Sequence, residues 1–227
     1  VLSTKRQTHY GASSTSTATK QKARILMSDT QEQLSKPIHI VVMGVAGSGK
    51  STVAEALRDR LGLTMAEGDD FHPQANIDKM SQGIPLTDAD RRPWLEVINR
   101  WMLGRNALGE STVVSSSALK RSYRDILRKD VPVFFVHLVG SQELIQRRLS
   151  ERKGHFMPPA LLPSQFADLE PLQPDEPGIE VSVEGTSEEM IQRSIDAVKA
   201  HAEREESQTS EAIADKADES LKSSNER

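Results

Sequence analysis

At 227 residues and 36% apolar content, the chain is long enough for one substantial domain and too polar for its whole length to pack inside. A net charge of −4, with both signs mixed along the sequence, gives no basic field for nucleic acid, and no apolar run approaches the ~20 residues that cross a bilayer. Cysteine is absent, which excludes disulfides, thiolate catalysis and cysteine-ligated zinc and fits a reducing, cytoplasmic setting.

Residues 1–36 are rich in Ser, Thr, Gln and Lys without apolar periodicity, so they read as a disordered segment. Their mild basicity would suit a cleaved targeting peptide, against which Asp29 and Glu32 count. The sequence opens on Val1, as an incomplete or processed chain does. A single folded domain is expected over 37–204. IHIVVM (38–43) is a buried strand, followed by glycines and then a helix over 50–62 with Gly62 as its cap. LTMAEG (63–68) is a weaker strand that runs into EGDDFHP. Helices follow over 76–83 and 88–107, the second entered through Asp88 or Asp90, then a strand at 111–117 and a short helix at 121–129. VPVFFVHLVG (131–140) is a strand in which His39's counterpart, His137, is expected as a satisfied core residue, like His39 itself. A helix over 141–152, a proline-rich stretch, a strand at 178–183 and a helix at 187–201 complete the domain. The acid-rich residues 205–227 read as a disordered tail. Strands alternating with helices predict an α/β fold, a mostly parallel five-stranded sheet with helices on both faces, and ligands beyond the carboxyl ends of its strands.

After the first strand, GVAGSGKST (44–52) satisfies G-x-x-x-x-G-K-[ST]. The glycines let main-chain N–H groups turn inward where a helix begins, so phosphate oxygens meet amide donors and a positive helix end. The predicted nucleotide-binding set is Gly44, Val45, Ala46, Gly47, Ser48, Gly49, Lys50, Ser51 and Thr52. Lys50 reaches the β- and γ-phosphates of ATP, and the Ser51 hydroxyl is placed to ligate Mg²⁺. No N-K-x-D motif for guanine is present, and no apolar strand ends in an acid as in motor ATPases, which leaves a small-molecule kinase. SALK (117–120) lacks the partner motifs of acyl-serine enzymes, and the six histidines lack metal-ligand spacing. Such a kinase needs a carboxylate to orient the acceptor hydroxyl and take its proton. The second strand's terminus, expected to neighbour the phosphate loop, offers Asp69 as base, with Glu67 or Asp70 as partners.

In this order, GVAGSGKST, EGDDFHPQANIDKMSQGIPLTDADRRPWL, SSSALKRSYRDILR and RKGHF resemble the P-loop gluconokinases over about residues 38–198. The resemblance implies the nucleoside- or shikimate-kinase-like fold with a mobile helical lid. It also implies ATP-dependent phosphorylation of D-gluconate at the 6-hydroxyl, feeding the pentose phosphate route. The alternative is a kinase for a shikimate-like hydroxy acid. A linear polyol acid needs fixed cations and hydrogen-bonding groups. Lys120 and Arg124, one helical turn apart, would serve its carboxylate, with Arg91 as a further charge and His72 and Ser117 on its hydroxyls. Trp94 and Tyr123 read as packing residues. Arg148 and Arg152, four apart in QRRLSERKGHF, would close over the triphosphate, or one would stack on adenine. Ala46 stands where relatives often carry Ser, and Asp70 where many carry an apolar residue. Partners are thus a small-molecule substrate and neither nucleic acid nor membrane. A homodimer is one option, since small kinases with an exposed apolar helix often pair.

Overall fold

The β-branched run forms β1 (His39–Met43), and all five of its residues are buried, as a strand covered on both faces requires. The structure, a computed structural model, describes residues 36–151 and 162–225. The N-terminal segment expected over 1–36 therefore lies almost wholly outside the described residues.

From β1 the chain passes through the glycine loop into α1 (Lys50–Leu61), which ends where Gly62 turns left-handed and its N–H meets the Arg58 carbonyl. Next come β2 (Thr64–Glu67), a tight turn at Gly68–Phe71, α2 (Gln74–Ser81) and α3 (Asp88–Ala107). Then follow β3 (Thr112–Ser115), α4 (Arg121–Leu127), β4 (Val133–Val139), α5 (Gln142–Glu151), α6 (Leu162–Asp168), β5 (Gly178–Ser182) and α7 (Ser187–Asn225). The five strands make one parallel sheet in the order β2-β3-β1-β4-β5. Alternate residues of the three central strands, β3, β1 and β4, feed two cores. Ile40, Val42 and Val136 meet Val53 and Leu57 of α1, Ile145 of α5 and Ile195 of α7. Val41, Met43 and Phe135 meet Trp94, Leu95 and Ile98 of α3 and Leu127 of α4.

Four local expectations change. The second strand does not neighbour the phosphate loop's strand: β3 lies between them, because the first crossover skips one position in the sheet. Thr87, rather than Asp88 or Asp90, caps α3, its hydroxyl accepting from the Asp90 N–H while the Asp90 carboxylate accepts from the Thr87 N–H. His39 is satisfied by Thr112 and Asn106. His137 is buried but makes no hydrogen bond among the described residues, with Glu180 Oε1 3.4 Å from its Nδ1. Finally, α7 continues far past residue 201, through the stretch expected as a loose tail. Its core stripe, Met190, Ile191, Ser194, Ile195 and Val198, ends before Glu203, and residues 203–208 are exposed. Residues 203–225 carry five Glu and three Ala, whose intrinsic preference favours a helical backbone.

Candidate active site

The loop after β1 is shaped by what leans on it. At Gly47, where φ is +80°, an added Cβ would lie 2.5 Å from Cγ of Leu149, so only glycine lets α5 close on the loop. Gly49 is also left-handed and hands the chain to α1 at Lys50. The Lys50 ammonium donates to the Val45 carbonyl at 3.0 Å, and the Gly44 N–H donates to the carbonyl of Ser117 at the end of β3. The Ala46 N–H donates to the Gln165 carboxamide oxygen of α6 at 2.6 Å. Ala46, Gly47, Gly49, Lys50, Ser51 and Thr52 face a cleft, whereas the Ser48 side chain is fully buried beneath it.

The opposite wall of the same cleft carries Glu67, Asp69, His72 and Arg91, with Ser115 at the end of the intervening β3, and Ser116 and Ser117 just after it, between the two walls. Asp70 does not line it. Glu67 accepts from the Ser115 hydroxyl. The turn that presents Asp69 is fixed at Gly68, where a Cβ would stand 2.4 Å from the Ser115 carbonyl oxygen. The Gly68 carbonyl in turn accepts from Trp94 Nε1 at 2.6 Å. The Trp94 ring stacks on His72, with centroids 4.2 Å apart. Burial pushes the His72 pKa down, partly offset by Asp69, which lies 3.8 Å away. Trp94→Phe keeps the stack but leaves the buried carbonyl without its donor. It is expected to cost about 1–3 kcal/mol in urea denaturation.

Beside this wall, Arg91 donates to the Tyr123 hydroxyl at 3.2 Å, and Tyr123 donates to Asp88. Tyr123 and Lys120 both bond Asp88 and hold its carboxyl below the ordinary range, while Asp88 holds Lys120 above its own.

A family model described as an AAA domain matches residues 40–171. The chain is 51% identical over 160 residues to the gluconokinase of Gluconobacter oxydans, spanning 70% of this chain and 90% of that one. It is 49% identical over 140 residues to the thermosensitive gluconokinase of Escherichia coli, spanning 61% and 75%. The chain belongs to the gluconokinase family. A crystal structure of a gluconokinase from Sinorhizobium meliloti, 44% identical, superposes with a TM-score of 0.71 over 78% of this chain and 99% of that one. The fold is therefore that of a P-loop kinase.

Within this gluconokinase fold, three expected site residues stand elsewhere. Arg124 does not reach the cleft. Its guanidinium is fully buried, donating to both carboxylate oxygens of Glu176 at 2.7 and 2.8 Å and to the carbonyls of Leu119, Glu170 and Pro171. Helical spacing put it beside Lys120 but could not reveal an acid arriving from before β5. Lys120 does not line the cleft either; its ammonium is held by Asp88 at 3.0 Å and Asp168 at 3.5 Å. Arg148 turns away from the phosphate loop and donates to the Val183 carbonyl at 2.7 Å, in a separate depression with Arg147, Glu184 and Gly185. Arg152 falls outside the described residues. Conversely, Ser116, Ser164 and Gln165 line the cleft without having been expected. The proline-rich stretch that hides α6 carries no periodic signal, and a run of three serines gives no hint that all three line a cleft.

No helix among the described residues is long and apolar enough to cross a membrane.

Proposed function

We propose that the protein transfers the γ-phosphoryl group of ATP to the 6-hydroxyl of D-gluconate. The observation that carries this reading is the single cleft with Lys50 and Ser51 on one wall and Asp69, His72 and Arg91 on the other, in a chain of the gluconokinase family. Arg91 is the cation for the substrate carboxylate. With that end held, the opposite end of a linear six-carbon acid is left to reach Asp69 and the γ-phosphorus. His72 and Ser117 offer hydrogen bonds to the intervening hydroxyls.

In the transfer, the 6-oxygen forms a bond to the γ-phosphorus as the bond from phosphorus to the β,γ-bridging oxygen breaks. ADP departs with that electron pair, and Asp69 takes the hydroxyl proton. Lys50 and the inward N–H groups of the loop offset charge on the phosphoryl oxygens. Ser51 and Glu67 present hard oxygen donors to the cleft, and Ser116 adds a buried hydroxyl with no hydrogen-bond partner among the described residues. That donor set fits Mg²⁺, with phosphate oxygens and water as the remaining ligands. When bound, the ion would neutralise β,γ-phosphate charge, with Ser51 as its direct protein ligand and Glu67 acting through water.

A coupled assay with ATP, Mg²⁺ and gluconate is expected to show turnover that shikimate does not support. Turnover of another hydroxy acid without gluconate turnover would defeat the assignment.

A further inference from the structure

We infer that Asn76 is a positioning residue of the acceptor wall: its carboxamide fixes the proton of His72 on Nε2, the ring nitrogen that faces Asp69. This rests on the reading of Asp69 as the acceptor-side base.

The His72 ring has little freedom. Its side chain is only 5% exposed, and one face lies flat against Trp94. In that pose Nδ1 stands 3.3 Å from Nδ2 of Asn76, and Nε2 stands 3.8 Å from Oδ1 of Asp69. The same Asn76 nitrogen is 3.0 Å from the main-chain carbonyl oxygen of Asp90. A carbonyl only accepts, so the end of the carboxamide that meets it must be the NH₂. Turning the group over would set oxygen against oxygen at a side chain only 3% exposed, where water cannot relieve the repulsion. One NH₂ proton therefore goes to Asp90 and the other points at His72 Nδ1. A ring nitrogen that accepts a hydrogen bond carries no proton, and burial keeps the ring neutral. The single ring proton is on Nε2.

The Asp90 carbonyl that orients Asn76 is itself held firmly. Its residue is the second half of the α3 capping box, and its carboxylate accepts from Lys79 at 2.7 and 2.8 Å. The Asn76 main-chain N–H is tied to the Pro73 carbonyl at 2.9 Å. A rigid frame thus ends in an N–H donor aimed at an acid whose own side chain is 81% exposed and free to turn. Donation from Nε2 to one carboxylate oxygen leaves the other to accept the proton of the acceptor hydroxyl. With the proton on Nδ1, Nε2 would present a lone pair to the carboxylate and repel it.

The test is a two-bond ¹H–¹⁵N spectrum of the full ¹⁵N-labelled chain at neutral pH, with His72 assigned by the signals lost in His72→Gln. The wild-type pattern is expected to be that of an Nε2–H imidazole. Asn76→Asp offers Nδ1 only acceptors, so its spectrum should show Nδ1 protonated. Its kcat should fall about tenfold or more, with KM for ATP within about twofold. A wild-type ring protonated on Nδ1 overturns the inference regardless of how the variant folds. So does a fall in kcat with an unchanged ring pattern, which would mark Asn76 as merely structural. Absence of gluconate turnover in the wild type would strike the proposed reaction alone and leave the spectrum to judge the ring.

Discussion

Asp69→Asn is expected to lower kcat by about 10²- to 10⁴-fold while leaving ATP affinity within a few-fold of the wild type. The substitution keeps the size of the side chain and its place on the turn held by Gly68 and Trp94. It removes the negative charge and the capacity to take a proton. The nucleotide wall is built from separate residues of the β1–α1 loop, so the loss should fall on the chemical step. Steady-state kinetics with gluconate, paired with a nucleotide titration, separates the two. Equal losses in ATP affinity and kcat would mean that the turn had collapsed, and an unchanged kcat would place the base elsewhere.

Arg124→Ala is expected to destabilise the fold by about 3–5 kcal/mol, because it takes from the buried Glu176 the cation that bonds both of its oxygens. Glu176 is almost wholly excluded from solvent; beyond Arg124 it keeps, among the described residues, only the Gln173 N–H at 2.9 Å and, at 3.7 Å, the guanidinium of the partly exposed Arg121. Burial pushes its carboxyl pKa up, but Arg124 and that N–H outweigh burial and hold it below the usual value. A carboxyl with a lowered folded pKa contributes stability above its unfolded value of about 4.3, and that contribution disappears as pH falls through the folded pKa. Wild-type stability should therefore decline on acidification below about pH 4, and this part of the decline should be missing in Arg124→Ala. Replacing both partners with leucine should recover part of the loss, since no lone buried charge remains. Denaturant titrations across this pH range would check all three results. A loss near zero in the single variant would show that the pair is not sealed from water.

The features legible in the sequence were those written in adjacent residues. Strand and helix periods placed every strand, and the glycine spacing of 44–52 located the phosphate loop because its geometry depends on neighbours in the chain. EGDDFHP could be assigned to a cleft because α/β sheets gather ligands at strand ends. What eluded the sequence depends on partners distant in the chain. Arg124 and Lys120 stand four apart at the start of α4, yet Glu176 and Asp168, about fifty residues onward, decide what they bind. Gln165 enters the site from a segment whose prolines conceal a short helix. Ser116 faces inward only because β3, rather than β2, lies next to β1.

That placement of β3 has a mechanical outcome. The phosphate loop and the acid turn hang from strands that never touch, and their separation is gauged by the four-residue ladder from Thr64↔Thr112 to Glu67↔Ser115 along an outer strand. A slip of one rung would carry the acid about 3.3 Å along the sheet and reverse its facing, whereas about 1 Å of misplacement can already cost two orders of magnitude in rate. The tightest tolerance in this enzyme is therefore kept by a few main-chain amides at the margin of the sheet.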